Sequence, residues 1–214
     1  MSRTDAEILW EVACGLARTA AGVSRSGARA LPPLLFFTDP ARTPRPWETA
    51  ARLPAGAAVV FRHFGAPGAP ADARRLRETT AAAGVRLLIG LDAELAAEVG
   101  ADGVHLPERS LRQAEGLAAA HPGWLITGAV HSAKAVAQAG HVHAMVLSPV
   151  FPAGGGSAGK PALGLAGFRA LAASAMRPVY ALGGVAASNA PGLIGSGACG
   201  LAGVEAIQAA FGSP

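Results

Sequence analysis

The sequence predicts a single (β/α)8 barrel preceded by one additional helix. From Leu34 onward, eight short apolar segments alternate with eight helix-like segments. Right-handed crossovers place each parallel strand beside the previous one, which favours a closed barrel. The last two apolar segments end in glycine next to a helix-like segment, at Gly183–Gly184 and near Gly203. Phosphate sites of such barrels have this layout, whereas a doubly wound open sheet is the alternative fold.

The N-terminal residues 4–22 have the pattern of an amphipathic helix, and Thr4 and Glu7 have the spacing of a capping box. We expect this helix to pack outside the barrel or against a partner subunit. Residues 23–33 are small, polar and rich in proline, as in a linker. The sequence therefore predicts an N-terminal helix and linker over residues 1–33 and a barrel over residues 34–214.

Each predicted strand is a short apolar run, which is typical of strands buried on both faces. The predicted strands cover residues 34–38, 57–62, 85–89, 102–105, 124–129, 142–148, 178–182 and 198–202. The predicted helices cover residues 46–53, 69–83, 92–99, 110–120, 131–139, 165–173, 186–195 and 203–211. The longest connection, residues 151–164, is rich in glycine and follows the sixth strand, so we expect an active-site lid. An insertion without a role is the alternative.

Composition narrows the class of protein. The chain has 214 residues, of which 51% are hydrophobic and 15% charged, as in a globular domain. Its net charge of +4 comes from scattered arginines, and no basic run is interleaved with aromatic residues. We therefore expect no nucleic-acid partner. An anionic metabolite and a merely solvated basic surface both explain the charge.

The cysteines and the apolar runs exclude other classes. Cys14 and Cys199 lie far apart and have neither metal-ligand nor disulfide spacing. The sequence has no run of 18 apolar residues and no signal-peptide pattern. We therefore expect a cytoplasmic protein without a membrane partner. The sequence also leaves a homodimer open.

Five chemically informative groups follow different predicted strands. Arg62 ends the second, His105 ends the fourth, and His131 follows the fifth. Lys160 lies in the loop after the sixth, and Gly183–Gly184 follow the seventh. Because barrel enzymes place reactive groups at the carboxyl ends of strands, we expect these groups to meet at one mouth. Arginine suits a phosphate, and histidine transfers protons near neutral pH. Each of them alone is also compatible with a purely structural role.

Several motifs, in this order and spacing, resemble the thiamine phosphate synthase/TenI family over roughly Leu34 to Phe211. They are Leu35-Phe-Phe-Thr-Asp39, Val99-Gly-Ala-Asp-Gly-Val-His-Leu106, Gly128-x-x-His131, Ser148-Pro-Val-Phe151, Ala181-Leu-Gly-Gly-Val185 and the run from Gly200 to Ile207. The resemblance implies a (β/α)8 barrel that binds a thiazole phosphate and takes part in thiamine biosynthesis.

The chain departs from the synthase pattern of that family at the metal and pyrophosphate positions. Of Gln-x-Arg-x-Lys after the second strand, only Arg62 is kept. Leu91 and Ser110 stand where the resemblance implies the two magnesium carboxylates. The glycine-rich loop replaces Thr-x-Thr-Lys, and Lys160 is the candidate substitute for its lysine. Magnesium would be a cofactor only of a synthase, so we otherwise expect no cofactor and no metal site.

The TenI branch lacks the same magnesium machinery and resembles this chain at Leu106-Pro-x-x-Ser110 and at Val130-His131-Ser132. Its members resemble thiazole tautomerases, which need one acid/base, a phosphate anchor and no metal. This resemblance implies that His131 is catalytic, with His105 as its partner or polariser. Glu205 stands where a serine is expected, and its carboxylate would repel a nearby phosphate.

The residues for which the resemblance and the strand ends together indicate a substrate or phosphate contact are Arg62, Lys160, Gly183, Gly184, Gly203 and Val204. Three functions stay open. The first is a metal-independent, TenI-like isomerase acting on a thiazole phosphate. The second is a magnesium-dependent thiamine phosphate synthase, which would join a pyrimidine diphosphate to a thiazole phosphate and release pyrophosphate. The third is a non-catalytic barrel that binds a phosphorylated ligand.

Overall fold

Eight parallel strands form a closed barrel in sequential order, which confirms the predicted fold class. The computed structural model of the chain describes residues 3–23, 30–155 and 158–212. The strands are β1 (Leu34–Phe37), β2 (Ala58–Phe61), β3 (Arg86–Gly90), β4 (Gly103–Leu106), β5 (Leu125–Val130), β6 (Ala144–Leu147), β7 (Val179–Ala181) and β8 (Ala198–Gly203). β1 pairs with β8, with Leu35 opposite Ala202, and this pairing closes the barrel.

The helices are α1 (Asp5–Val23), α2 (Pro46–Ala50), α3 (Ala69–Ala82), α4 (Ala93–Glu98), α5 (Ala114–Ala120), α6 (Ala133–Gln138), α7 (Gly164–Ser174) and α8 (Glu205–Phe211). A 3₁₀ helix, Glu108–Gln113, leads into α5. Side chains cap the N-termini of two short helices. Asp92 Oδ1 accepts from Leu95 N–H at the start of α4, and Ser132 Oγ accepts from Ala135 N–H at the start of α6.

The core has two layers because neighbouring side chains along each strand point to opposite faces. In β1, Leu35 and Phe37 pack inside the barrel, whereas Leu34 and Phe36 pack between the strands and the helices. All four are buried, and so is every residue of β2, β4 and β6. The apolar runs therefore have the two-sided burial that the sequence predicts.

The prediction of a helix over residues 186–195 is wrong. This connection contains only a short 3₁₀ helix, Ala190–Leu193. Asn189 closes a turn instead, because its Oδ1 accepts from Ala186 N–H at 2.9 Å and its Nδ2 donates to Gly184 O at 2.8 Å. Pro191 also removes a backbone donor that a helix would need. Consequently, no α-helix begins directly after the glycine pair.

The N-terminal helix α1 packs against this part of the barrel. Its predicted capping box is confirmed, since Thr4 N–H donates to Glu7 Oε2 at 2.7 Å and Glu7 N–H donates to Thr4 Oγ1 at 3.3 Å. α1 contacts β8, β1, α8 and the 190–193 turn. Its buried residues Leu9, Val12, Ala13 and Leu16 belong to the outer core. α1 therefore covers the wall where the connection after β7 has no α-helix.

The linker predicted over residues 23–33 lies partly outside the described residues. Its described end is attached to the barrel, because Pro32 O accepts from the Tyr180 hydroxyl at 2.6 Å and Pro33 O accepts from Leu201 N–H at 3.0 Å. The division of the chain at residue 33 stays a prediction. Across residues 3–23, 30–155 and 158–212, no helix has the length and apolar character that crossing a membrane requires.

Candidate functional site

Polar side chains from five strand ends lie at the carboxyl-terminal mouth of the barrel. Asp39 follows β1, Arg62 follows β2 and His105 lies in β4. His131 follows β5, and Ser148 follows β6. Contacts join Asp39, Arg62 and Phe37 to His105, and a separate contact joins His131 to Ser148. The carboxyl ends of barrel strands are the usual location of a ligand site.

Arg62 is held in place from β1 but lacks one hydrogen bond. Its Nε donates to Thr38 O at 2.7 Å, and its backbone N–H donates to Thr38 Oγ1 at 2.9 Å. Its buried Nη2 has no hydrogen-bond acceptor among the described residues, and Asp39 Oδ2 is 3.9 Å away. Burial lowers the Arg62 pKa to about 10, although Asp39 acts in the opposite direction. An anionic ligand would supply the acceptor that Nη2 lacks.

Arg42 connects Asp39 to Glu205 at the edge of the mouth. Its Nη2 donates to Asp39 Oδ2 at 2.9 Å, and its Nη1 lies 3.6 Å from Glu205 Oε2. Burial opposes ionisation of Asp39, but the hydrogen bond and charge of Arg42 outweigh it, so the Asp39 pKa is lowered. The Glu205 side chain is 60% exposed. Arg42 therefore offsets part of the repulsion that Glu205 would exert on a nearby anion.

The ring of His131 has a defined tautomer. Its Nδ1 lies 2.9 Å from Ser148 O and 3.1 Å from Ser148 Oγ. A carbonyl oxygen only accepts, so Nδ1 carries the proton and Nε2 is the basic nitrogen of the neutral ring. The backbone N–H of His131 donates to Glu108 Oε2 at 2.9 Å. The geometry thus holds His131 as a group that can accept a proton through Nε2.

His105 lies deeper in the barrel than His131. Its Nδ1 is 2.9 Å from Thr127 Oγ1, and its ring contacts the Phe37 ring edge-on with centroids 4.9 Å apart. Burial, followed by the charges of Arg62 and His131, lowers the His105 pKa to about 3. His105 is therefore neutral near pH 7. It can polarise a neighbouring group, but it is not a cationic partner.

The glycine pair after β7 lies close to the loop that follows β6. A Cβ on Gly183 would be 2.7 Å from Pro149 Cα, and one on Gly184 would be 2.4 Å from Pro152 O. The positive φ values of 97° and 64° also favour glycine at these positions. Neither glycine N–H donates a hydrogen bond to a described residue. Among the described residues these two N–H groups therefore have no acceptor, and the helix N-terminus expected beside them is absent.

The other predicted phosphate-binding residues are less well defined. Gly203 ends β8, and Val204 directly precedes α8, whose first residue is Glu205. Lys160 is exposed on the loop after β6. Residues 156 and 157 of the predicted lid lie outside the described residues. The roles of Gly203, Val204 and Lys160 therefore stay predictions.

The residues that the resemblance would assign to magnesium do not fit that ion. In the part of the chain that the structure describes, no three His, Cys, Asp or Glu side chains are grouped as a metal site. The Leu91 side chain has no ligand atom, and its neighbour Asp92 already caps α4 through Oδ1. Magnesium prefers several oxygen ligands in a near-octahedral arrangement. The donor set of this mouth does not provide them.

The sequence patterns did not indicate several hydrogen-bond partners of the predicted site residues. Asp39 was visible only as part of the Thr38-Asp39 motif, and Ser148 only as the start of Ser148-Pro-Val-Phe151. Their pairing with Arg42 and His131 depends on distances between strands. No sequence signal indicated that Glu108 accepts from the His131 backbone.

Comparison with known proteins identifies the family. Residues 46–207 match the family model described as thiamine monophosphate synthase. The thiamine-phosphate synthase of Methanoculleus marisnigri is 35% identical over 134 residues, which cover 62% of this chain and 64% of the relative. A putative thiamine-phosphate synthase of Geobacter sulfurreducens is 35% identical over 141 residues, covering 64% and 65%. The matched region thus spans slightly less than two thirds of these curated relatives.

A solved structure shows the same fold. The thiamine phosphate pyrophosphorylase of Pyrococcus furiosus superposes with a TM-score of 0.70 at 24% sequence identity, covering 83% of this chain and 91% of that chain. The family match extends over most of the barrel described above. The chain therefore belongs to the thiamine monophosphate synthase family.

Proposed function

We propose that this chain is an enzyme of thiamine biosynthesis that binds a thiazole phosphate at the carboxyl-terminal mouth of its barrel. Family membership supports the pathway. The unsatisfied Arg62 Nη2 and the N–H groups of Gly183 and Gly184 support an anionic ligand. The neutral His105 lies in β4, and the fixed His131 follows the neighbouring strand β5 at the same mouth.

The reaction that the geometry supports best is a metal-independent proton transfer, as in a thiazole tautomerase. The observation that carries this proposal is the hydrogen bond from His131 Nδ1–H to Ser148 O, which leaves Nε2 as the base. Nε2 accepts a proton from one carbon of the substrate, and the resulting imidazolium returns a proton to another carbon. The double bond shifts, and no proton is gained or lost overall.

The second candidate is thiamine phosphate synthase. The curated relatives carry that name, so the comparisons favour this coupling reaction over the tautomerase. Its magnesium ion does not fit the described donor set. The two candidates share the thiazole phosphate site and differ in the second substrate and in the role of His131.

Two assays on the purified protein separate the candidates. We expect conversion of a thiazole carboxylate phosphate tautomer without added metal, and no pyrophosphate release when a thiazole phosphate and a pyrimidine diphosphate are supplied. His131→Asn should lose about 10²- to 10⁴-fold in tautomerisation rate, because a positioned acid/base contributes that much. Its ligand affinity should change little.

His141→Asn is the matched control, because His141 is exposed and precedes β6 at the opposite end of the barrel. It should retain full activity. Pyrophosphate release by the unmutated protein would establish the synthase instead. Tight thiazole phosphate binding without turnover in either assay would indicate a non-catalytic barrel.

A further inference from the structure

Two large apolar side chains are exposed at the mouth on strained backbone. Phe64, in the loop after β2, is 72% exposed, and Leu91, directly after β3, is 41% exposed. Their φ values are 50° and 66°. For a bulky residue this left-handed conformation costs roughly 1–2 kcal/mol. Backbone strain of this kind points to a functional position when the surrounding structure maintains it.

The neighbouring residues fix both positions. Gly65 N–H donates to His63 Nδ1 at 3.1 Å, and Ala66 N–H donates to His63 O at 2.9 Å. The His63 ring packs on the Phe61 ring with centroids 5.7 Å apart. These contacts anchor the residues on either side of Phe64. Leu91 is attached to the next strand, because its N–H donates to His105 O at 2.9 Å.

Phe64 lies against the incompletely bonded Arg62. The guanidinium carbon of Arg62 is 5.5 Å from the Phe64 ring centroid and 5.4 Å from the Phe37 centroid. Gly90 leaves space for the Arg62 stem, since a Cβ there would be 3.3 Å from Arg62 Cγ. The charged group therefore has an aromatic ring from β1 and one from the loop after β2 as neighbours.

Arg62 Nη2 is buried, so a neighbouring group has to move before an anion can reach it. Phe37 is 1% exposed within β1, and Asp39 is held by Arg42 and by backbone N–H groups. Phe64 is the exposed member of this set. Of the two aromatic rings beside the guanidinium, Phe64 is therefore the one that can rotate without disturbing the barrel core.

We propose that Phe64 is a ligand-contacting flap. It moves off Arg62 when an anionic group accepts from Nη2, and it then packs on the ring of the same ligand. Leu91, beside Arg62 on the next strand end, adds apolar surface. The ligand class is a flat ring that carries an anionic group. The identity of that ring as a thiazole rests on the proposed function, whereas the flap does not.

Binding of three probes tests the flap: inorganic phosphate, phenyl phosphate and thiazole phosphate. In the unmutated protein, the two ring-bearing phosphates should bind more tightly than inorganic phosphate. Phe64→Ala should weaken the ring-bearing probes about 10-fold, which is within the range of ring stacking on an aromatic side chain. Inorganic phosphate should bind equally well or more tightly, because the cover over Arg62 is gone. Phe64→Tyr, which keeps the ring, should retain the original preference.

Met176→Ala is the matched control, because Met176 is 86% exposed and precedes β7 at the opposite end of the barrel. It should leave all three affinities unchanged. Equal weakening of all three probes by Phe64→Ala, or no change in any, would overturn the flap. Failure of the unmutated protein to bind any probe would overturn both proposals. A ring preference shown by phenyl phosphate but not by thiazole phosphate would remove the proposed substrate and leave the flap intact.

Discussion

His105 is an ionisable side chain placed where it is held uncharged. It is buried beside Phe37, and its Nδ1 is bonded to Thr127 Oγ1. The Arg62 charge adds to the effect of burial, and the His105 pKa is about 3 instead of 6.5. A neutral imidazole next to His131 suits a site in which only one of the two histidines carries the transferred proton. The same burial makes His105 a determinant of stability in acid.

The free energy of unfolding should therefore decrease as the pH falls from 6.5 towards 3. In this interval the unfolded chain protonates His105 and the folded chain does not, so protons favour unfolding. A single group of this kind contributes up to about 1.4 kcal/mol per pH unit. His105→Gln removes the titration, and urea denaturation at pH 4.5 to 6.5 should show a flatter slope than in the unmutated protein.

This pH interval also separates His105 from Asp39. The lowered Asp39 pKa contributes stability that is present above pH 3.8 and lost only below it. Equal pH slopes for the unmutated protein and His105→Gln would show that His105 is accessible to protons in the folded state.

At the scale of elements, α1 completes the outer layer of the barrel beside β8. The turn at residues 190–193 leaves that wall without an α-helix, and α1 contacts both this turn and β8. Leu9 and Leu16 of α1 are buried in the same cluster as Leu193 and Leu201. Because the helix shares the core of the barrel, the two should unfold together.

Leu9→Ala should lower the free energy of unfolding by about 2–4 kcal/mol, since it removes a buried side chain and leaves a cavity. Urea denaturation followed by circular dichroism measures this change, and the transition should stay single. Glu11→Ala, on the exposed side of α1, should change it by less than about 0.5 kcal/mol. If Leu9→Ala lowers the free energy of unfolding by less than about 0.5 kcal/mol, or if a separate first transition is seen, α1 does not share the core of the barrel.

The apolar runs predicted all eight strands of the barrel, because a strand that is buried on both faces consists almost entirely of apolar residues. The helix predicted over residues 186–195 does not form, because the Asn189 side chain donates to Gly184 O and stabilises a turn there. Hydrophobic periodicity contains no signal for such a turn. The strand ends likewise indicated Arg62, His105 and His131, but not the hydrogen-bond partners that orient them. Those partners come from other strands, and their distances follow only from closure of the barrel.

At the scale of the whole molecule, the carboxylates around the mouth lie apart from one another, and each has a hydrogen-bond or ion-pair partner. They come from different strand ends, so closure of the barrel brings them to one face without grouping them. Their partners are Arg42 for Asp39 and Glu205, Leu95 N–H for Asp92, and His131 N–H for Glu108. A cation entering the mouth would have to break these contacts to collect oxygen ligands. Arg42 and Arg62 would also repel it.

We therefore expect no saturable Mg²⁺ binding at Mg²⁺ concentrations of about 1 mM. Addition of EDTA should change neither the affinity for thiazole phosphate nor the rate of tautomerisation. Isothermal titration with Mg²⁺ and the assays above measure these quantities. The double substitution Leu91→Asp and Ser110→Asp restores carboxylates at the positions that the family resemblance assigns to the ion, and it should bind Mg²⁺ more tightly than the unmutated protein. If Mg²⁺ already strengthens ligand binding to the unmutated protein, the contacts of Asp92 and Glu108 are not maintained in solution. The coupling reaction named for the relatives would then replace proton transfer as the function of this mouth.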